Sequence, residues 1–374
     1  MFNERARFRL HHPPGPPVGL VEAPTGDPRP DIARRAIIAF ARSPGSVDAG
    51  PVWDDLLANR QRDLAGWLAR GDAEPLAQDL SALGRSEAAQ GFFGGAGQHR
   101  RCASDPAYAE LLAAWTHDKL VSLAEAVGAV RLELPENGPW GDTLRLSPAD
   151  LFARIEAKLG CDLTPPTHVG AYLGIDAGGR VLQMRVLEAI YAAWRLKQIA
   201  DAQGFTRICE IGAGAGLTAY YAALLGLTDY VIVDLPTMNA VQAYMLAGSR
   251  IGNLVSLDGE GGTGAIRILP HTAFAALERG SIDILYNQDS LPEIDWDAAR
   301  AYLTDARQLG IPLLLSINQE AHLPTATGRQ LSVPELVDTV GGYRRLQRHR
   351  HWLRQGYVEE LYRLVMEIRD GRSI

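Results

Sequence analysis

Through the first third of the chain, apolar residues recur at three- and four-residue spacing, the period of helices that bury one face. The segments DIARRAIIAFAR (31–42), WDDLLANRQRDLAGWLA (53–69) and YAELLAAWTHDKLVSLAEAV (108–127) carry this pattern most clearly. After a turn-rich break, LPENGPWGD (134–142), Ser147 is placed to cap the helix of SPADLFARIEAKLG. A long helical pattern over 181–203, with Leu187, Ile190, Tyr191 and Trp194 as its apolar stripe, stops at Gly204. Beyond it the period changes, and short apolar runs alternate with helical stretches. Strands are expected at 207–211, 230–234, 266–269, 282–287 and 311–317, and a further strand pair turns around 355–356. This alternation predicts an α/β fold with a Rossmann-like, doubly wound sheet. Three parts follow: a flexible Pro/Gly-rich arm (1–30), a helical N-terminal region (31–179) and the sheet domain (180–374).

Composition mainly removes alternatives. The 374 residues exceed one average domain, and 47% hydrophobic with 22% charged residues is ordinary for a soluble globular protein. A net charge of −7 gives no general attraction to nucleic acid or an anionic membrane. Lysine occurs only at Lys119, Lys158 and Lys197, and with abundant Ala, Gly and Arg this reads as a GC-rich bacterial coding bias. Cys102, Cys161 and Cys209 are odd in number and far apart, so neither a disulfide framework nor a metal-ligand pair is expected. The first twenty residues lack the apolar core of a signal peptide, and the longest apolar stretch, 219–227, is too short for a membrane span. The expectation is a reduced, cytoplasmic protein. His11 and His12, followed by two prolines, read as surface loop rather than metal ligands.

Chemistry concentrates in RICEIGAGAG (207–216), followed by YVIVDLP with Asp234. A buried strand, a glycine turn, a helix and a second strand ending in an acid form the unit that holds a nucleoside in open α/β sheets. A nicotinamide dehydrogenase wants GxGxxG around a pyrophosphate. Here Gly212, Gly214 and Gly216 give GxGxG, and Glu210 just before them repels phosphates and helps to hold an ammonium group. S-adenosylmethionine, with an amino-acid end, a sulfonium and an adenosine, fits both observations. An NAD-dependent dehydrogenase is therefore the weaker reading.

EIGAGAG followed by VDLP resembles the first two motifs of class I S-adenosylmethionine-dependent methyltransferases. DILYNQDSLPEID (283–295) is similar to the Asn-x-Asp-Ser-x-x-Glu signature of the sugar O-methyltransferase family of bacterial polysaccharide clusters. The resemblance covers roughly 180–374, and its layout implies a mostly parallel sheet with an antiparallel C-terminal strand. It also implies that Glu210, Gly212, Gly214 and Gly216 line the methionine half of the cofactor. Asp234 would take the ribose hydroxyls, Leu235 and His271 would lie by the adenine, and Asn287 under the sulfonium. The implied activity is methyl transfer to a sugar hydroxyl in polysaccharide or glycoconjugate synthesis.

Such a transfer needs a group that removes the alcohol proton. Asp289 and His322 are the candidate bases, with Glu293 to orient a hydroxyl or the base. Each has a plainer reading: a helix cap for Asp289, a first-turn acid for Glu293, a surface loop for His322. A divalent metal on Asp289, Glu320 and His322 is not favoured, because the spacing is mixed. Residues 170–179 form either a lid hinge or an ordinary turn, and Arg185 either meets the cofactor carboxylate or lies on the surface. The arginines between 344 and 354 read as a solvated strand pair, with docking of an acidic or nucleotide-linked sugar as the weaker reading. The N-terminal helices are candidates for a lid, an acceptor-binding region or a homo-oligomer interface. Two rivals stay open: a phenol or polyketide as acceptor, and a non-catalytic nucleoside-binding scaffold.

Overall fold

The computed structural model describes residues 10–13, 15, 17–43, 51–134, 136, 141–261, 264–320, 324–325 and 328–365. One sheet holds eight strands, numbered along the chain. They are β1 (Ile208–Ile211), β2 (Tyr230–Asp234), β3 (Val255–Leu257), β4 (Ile266–Pro270), β5 (Ile284–Gln288), β6 (Leu313–Gln319), β7 (Tyr343–Arg350) and β8 (Tyr357–Leu364). Their order is β7-β8-β6-β5-β1-β2-β4-β3. Strand β8 is antiparallel to both neighbours, and every other pair is parallel. The Rossmann-like, doubly wound sheet with an antiparallel C-terminal strand is therefore present. Strand β3 was not expected; three residues are too few to show a period.

The central strands read as unbroken apolar runs because both faces of the sheet are covered. Ile208, Ile232, Tyr286 and Leu315 belong to the core on one face. Their neighbours Cys209, Val231, Leu285 and Leu314 belong to the core on the other. Leu64, Leu76, Leu120 and Phe152 of the N-terminal helices join the first of these cores, so the helical half packs directly on the sheet. Helix Met184–Gln203 leads into β1 and ends, as its sequence indicates, on Gly204 in the left-handed conformation (φ 69°). Among the described residues no helix is long and apolar enough to cross a membrane.

One expectation is corrected here, and one pair of alternatives is decided. The arm at 1–30 is fixed over its described part. Leu20–Glu22 pairs antiparallel with Leu173–Asp176, and the Gly26 amide donates to Ser81 O at 3.0 Å. His12 lies between Asp118 (2.9 Å) and Glu125 (3.0 Å). Burial opposes its charge, but the two carboxylates prevail and raise its pKa to about 9. The glycine-rich stretch 170–179 is no lid hinge. It starts the hairpin of Leu173–Asp176 and Val181–Leu182, and a Cβ on Gly170 would fall 1.7 Å from Pro24 O.

Candidate active site

Strand β1 lies where the connections change side, with β2 and β4 on one flank and β5 and β6 on the other. Open α/β sheets bind ligands at this point, beyond the carboxyl ends of the strands. A cavity of about 190 Å³ opens there. Its floor is the turn after β1. Gly212 (φ 69°) and Gly214 (φ 55°) have left-handed backbone, and a Cβ on Gly212 would fall 2.3 Å from Ser290 Oγ. Only glycine fits there without displacing Ser290. Gly216 lies outside the lining; it caps helix Leu217–Leu224 and packs beside Leu246.

Two buried acids face this cavity from the ends of β1 and β2. The Tyr230 hydroxyl donates to Glu210 at 2.9 Å, and burial pushes the Glu210 carboxyl up to about 8. Asp234 accepts from the Leu235 amide (2.8 Å) and Gln242 Nε2 (2.6 Å), and burial pushes it up to about 6. Neither acid has a lysine or arginine partner among the described residues. The Ala213 and Gly214 amides of the glycine turn also favour the charged form of Asp234. Leu235 and His271 line the same end of the cavity, and the His271 Nδ1 atom is buried without a protein partner among the described residues.

The opposite wall comes from the segment after β5. Asp289 adopts a left-handed backbone (φ 70°), unusual for a residue with a side chain. Its carboxylate accepts from Tyr357 OH (2.5 Å), Arg354 Nη1 (2.6 Å) and Arg185 Nη1 (3.1 Å). Burial works against its charge, yet Arg354 and Arg185 hold its pKa down to about 2. A carboxylate so held is a poor proton acceptor, so the base role is withdrawn from Asp289. Nor does it cap a helix; it ties β8 and helix Met184–Gln203 to the cavity wall. The Glu293 carboxyl, by contrast, has no hydrogen-bond partner among the described residues; only its amide is tied, to Ser290 O at 2.9 Å. Burial and the nearby Asp289 charge push it up to about 7, where a general base is most effective.

Asn287 does not reach the cavity. Fully buried, it donates to Ile211 O (2.8 Å) and Ser290 Oγ and accepts from Asn318 Nδ2 (3.0 Å). Its side chain braces the ends of β1, β5 and β6, which corrects the expected place under a sulfonium. His322 lies outside the described residues. Glu320 pairs with Arg348 at 2.7 Å, and among the described residues no three His, Cys, Asp or Glu side chains gather to hold a metal.

Several lining residues carried no signal in the sequence. Leu56, Gln90, Gly91 and Phe92 reach the cavity from the N-terminal region, and Ala298 and Tyr302 from helix Trp296–Gln308. Behind Arg185 lies an ion network: Glu188 Oε2 accepts from Arg185 (3.0 Å), and Glu188 Oε1 accepts from the fully buried Lys119 (2.7 Å). Burial pushes Lys119 down to about 8, and Glu188 partly restores its charge. Removing one member of a buried pair leaves the other uncompensated. Glu188→Ala is expected to destabilise the fold by about 3–5 kcal/mol in urea denaturation; an unchanged midpoint would remove Glu188 from the scaffold.

No known protein-family profile matches the chain, and no curated protein matches it. Among solved structures it is similar to mitomycin 7-O-methyltransferase MmcR, at 16% identity and a TM-score of 0.37 over 48% of this chain and 56% of that one. It is similar to magnesium protoporphyrin IX methyltransferase ChlM of Synechocystis PCC 6803 with bound SAM, at 14% and 0.34 over 48% and 81%. The bifunctional kinase-methyltransferase WbdD is similar at 15% and 0.34, over 48% of this chain and 38% of that one. The chain thus spans little more than half the length of MmcR.

Proposed function

We propose that this protein is an S-adenosylmethionine-dependent O-methyltransferase whose acceptor is a sugar hydroxyl. The observation that carries the reading is the pair of buried acids, Glu210 and Asp234, facing one cavity across a left-handed glycine turn without a cationic partner among the described residues. A buried acid is costly unless paired, and an ammonium group and two ribose hydroxyls would supply what these two lack. When bound, S-adenosylmethionine supplies an electrophilic methyl group.

The chain's own residues do the rest. Asp234 binds the ribose, Glu210 holds the ammonium, and the glycine turn lets the backbone approach the ligand. Phe92, set against the glycine turn, and Leu56 line the cavity and exclude water from it. Glu293 would accept the proton that the acceptor hydroxyl gives up on methylation. Asp289 stays ionised, keeps Arg185 and Arg354 in place, and raises the proton affinity of Glu293. Gln288, Asp289, Glu293 and Arg185, lining the same cavity as Phe92, suit a polyol, which offers several hydroxyls and an apolar ring face.

Incubation with methyl-labelled S-adenosylmethionine and a panel of free and nucleotide-linked sugars tests the reading. Transfer to a sugar, with a rate that rises through about pH 7 and then levels, is expected. Transfer to phenols alone would reassign the acceptor, a change that the apolar Leu56 and Ile294 would accommodate. Cofactor binding without transfer to any acceptor would favour a scaffold.

A further inference from the structure

We propose that residues 90–95 form a glycine-hinged gate over the cofactor pocket and that Phe92 is the residue that closes it. The inference rests on the cofactor reading above. The sequence here is QGFFGG, two aromatic residues bracketed by glycines. Gly91, Gly94 and Gly95 have φ of 98°, 93° and 69°, values that side-chain-bearing residues rarely adopt. The two rings do different things. Phe93 is buried, edge-on to Tyr172 with ring centroids 5.2 Å apart, and anchors the far end of the segment. Phe92 is only half-buried and leans on the glycine turn, its Cβ 3.3 Å from where a Cβ of Gly214 would stand.

That position covers the turn over which a nucleoside cofactor would lie. The gate's tie to the opposite wall is a hydrogen bond from Arg185 Nη2 to Gly91 O, 3.2 Å long. The Phe92 ring packs only at the margin of the first core, and one hydrogen bond ties the segment to the opposite wall, so with glycines on both sides the closure can open while Phe93 stays anchored. Lids of this kind control entry and release, and their opening often sets turnover.

Surface plasmon resonance with S-adenosylhomocysteine as the probe separates a gate from a simple contact. A gate slows both entry and exit, so Phe92→Ala should raise the association and dissociation rate constants together, each about tenfold, with a smaller change in Kd. A ring that only touches the ligand would raise dissociation alone, and that result would overturn the gate, as would two unchanged rates. Gly91→Ala provides an independent variant. A Cβ there meets nothing within 4 Å, so the substitution acts through the backbone at φ 98° and should also speed both steps. It decides the matter should Phe92→Ala fail to fold, and unchanged rates in it would count against the hinge. Absence of binding to the wild-type protein would overturn the cofactor reading itself and the gate with it.

Discussion

Asp234→Ala is expected to weaken S-adenosylhomocysteine binding about hundredfold, the loss of two hydrogen bonds to a charged group at about 1.5 kcal/mol or more each. The same substitution should leave the ligand-free fold intact or firmer. Burial raises the Asp234 pKa from 3.8 to about 6. A carboxyl whose folded pKa lies above its unfolded value favours folding most below the unfolded pKa, and that contribution is lost as pH rises through the folded value. Ionised Asp234 therefore opposes folding above about pH 6, and alanine removes the opposition. Thermal melts at pH 7 to 8 should place the ligand-free variant at or above wild type, while calorimetry shows binding weakened by that factor. Glu210, raised from 4.5 to about 8, stands in the same relation to the fold over its own range. A variant that lost binding and melted early would point to a structural acid rather than a ribose ligand.

Glu293→Gln is expected to lower turnover by about 10²–10⁴, the range for loss of a general base, with S-adenosylhomocysteine affinity unchanged. Glutamine keeps the shape and removes the titration. The wild-type rate should rise through about pH 7, where Glu293 loses its proton, and the variant should lack that limb. Asp289→Asn gives a different signature. Its negative charge is one cause of the raised Glu293 pKa, so neutralising it should move the limb to lower pH. Were Asp289 the base, its variant would lose the limb and Glu293→Gln would keep it.

What the sequence conveyed and what it hid divide along sequence separation. The strand, glycine turn, helix and acid of 207–234 are contiguous, so periodicity and glycine positions suffice to place them. Asp289 could be located at the end of β5, but its partners could not: Arg354 and Tyr357 lie 65 and 68 residues later, and Arg185 lies 104 earlier. Those contacts turn a plausible base into a fixed anion and pass the proton-accepting role to Glu293. Asn287 was likewise placed correctly on its strand while its side chain was misassigned, because Ile211 and Asn318 that occupy it belong to neighbouring strands. The described part of the arm read as loose since Leu20–Glu22 finds its pairing strand some 150 residues away. Phe92 sits in a segment too short and too glycine-rich to show any period.

If the glycine turn with Glu210 and Asp234 is a cofactor site, the protein binds the demethylated cofactor product. Isothermal titration of the wild-type protein with S-adenosylhomocysteine tests it most directly. Saturable binding at one ligand per chain is expected, and an absence of binding heat at several temperatures would rule the cofactor site out.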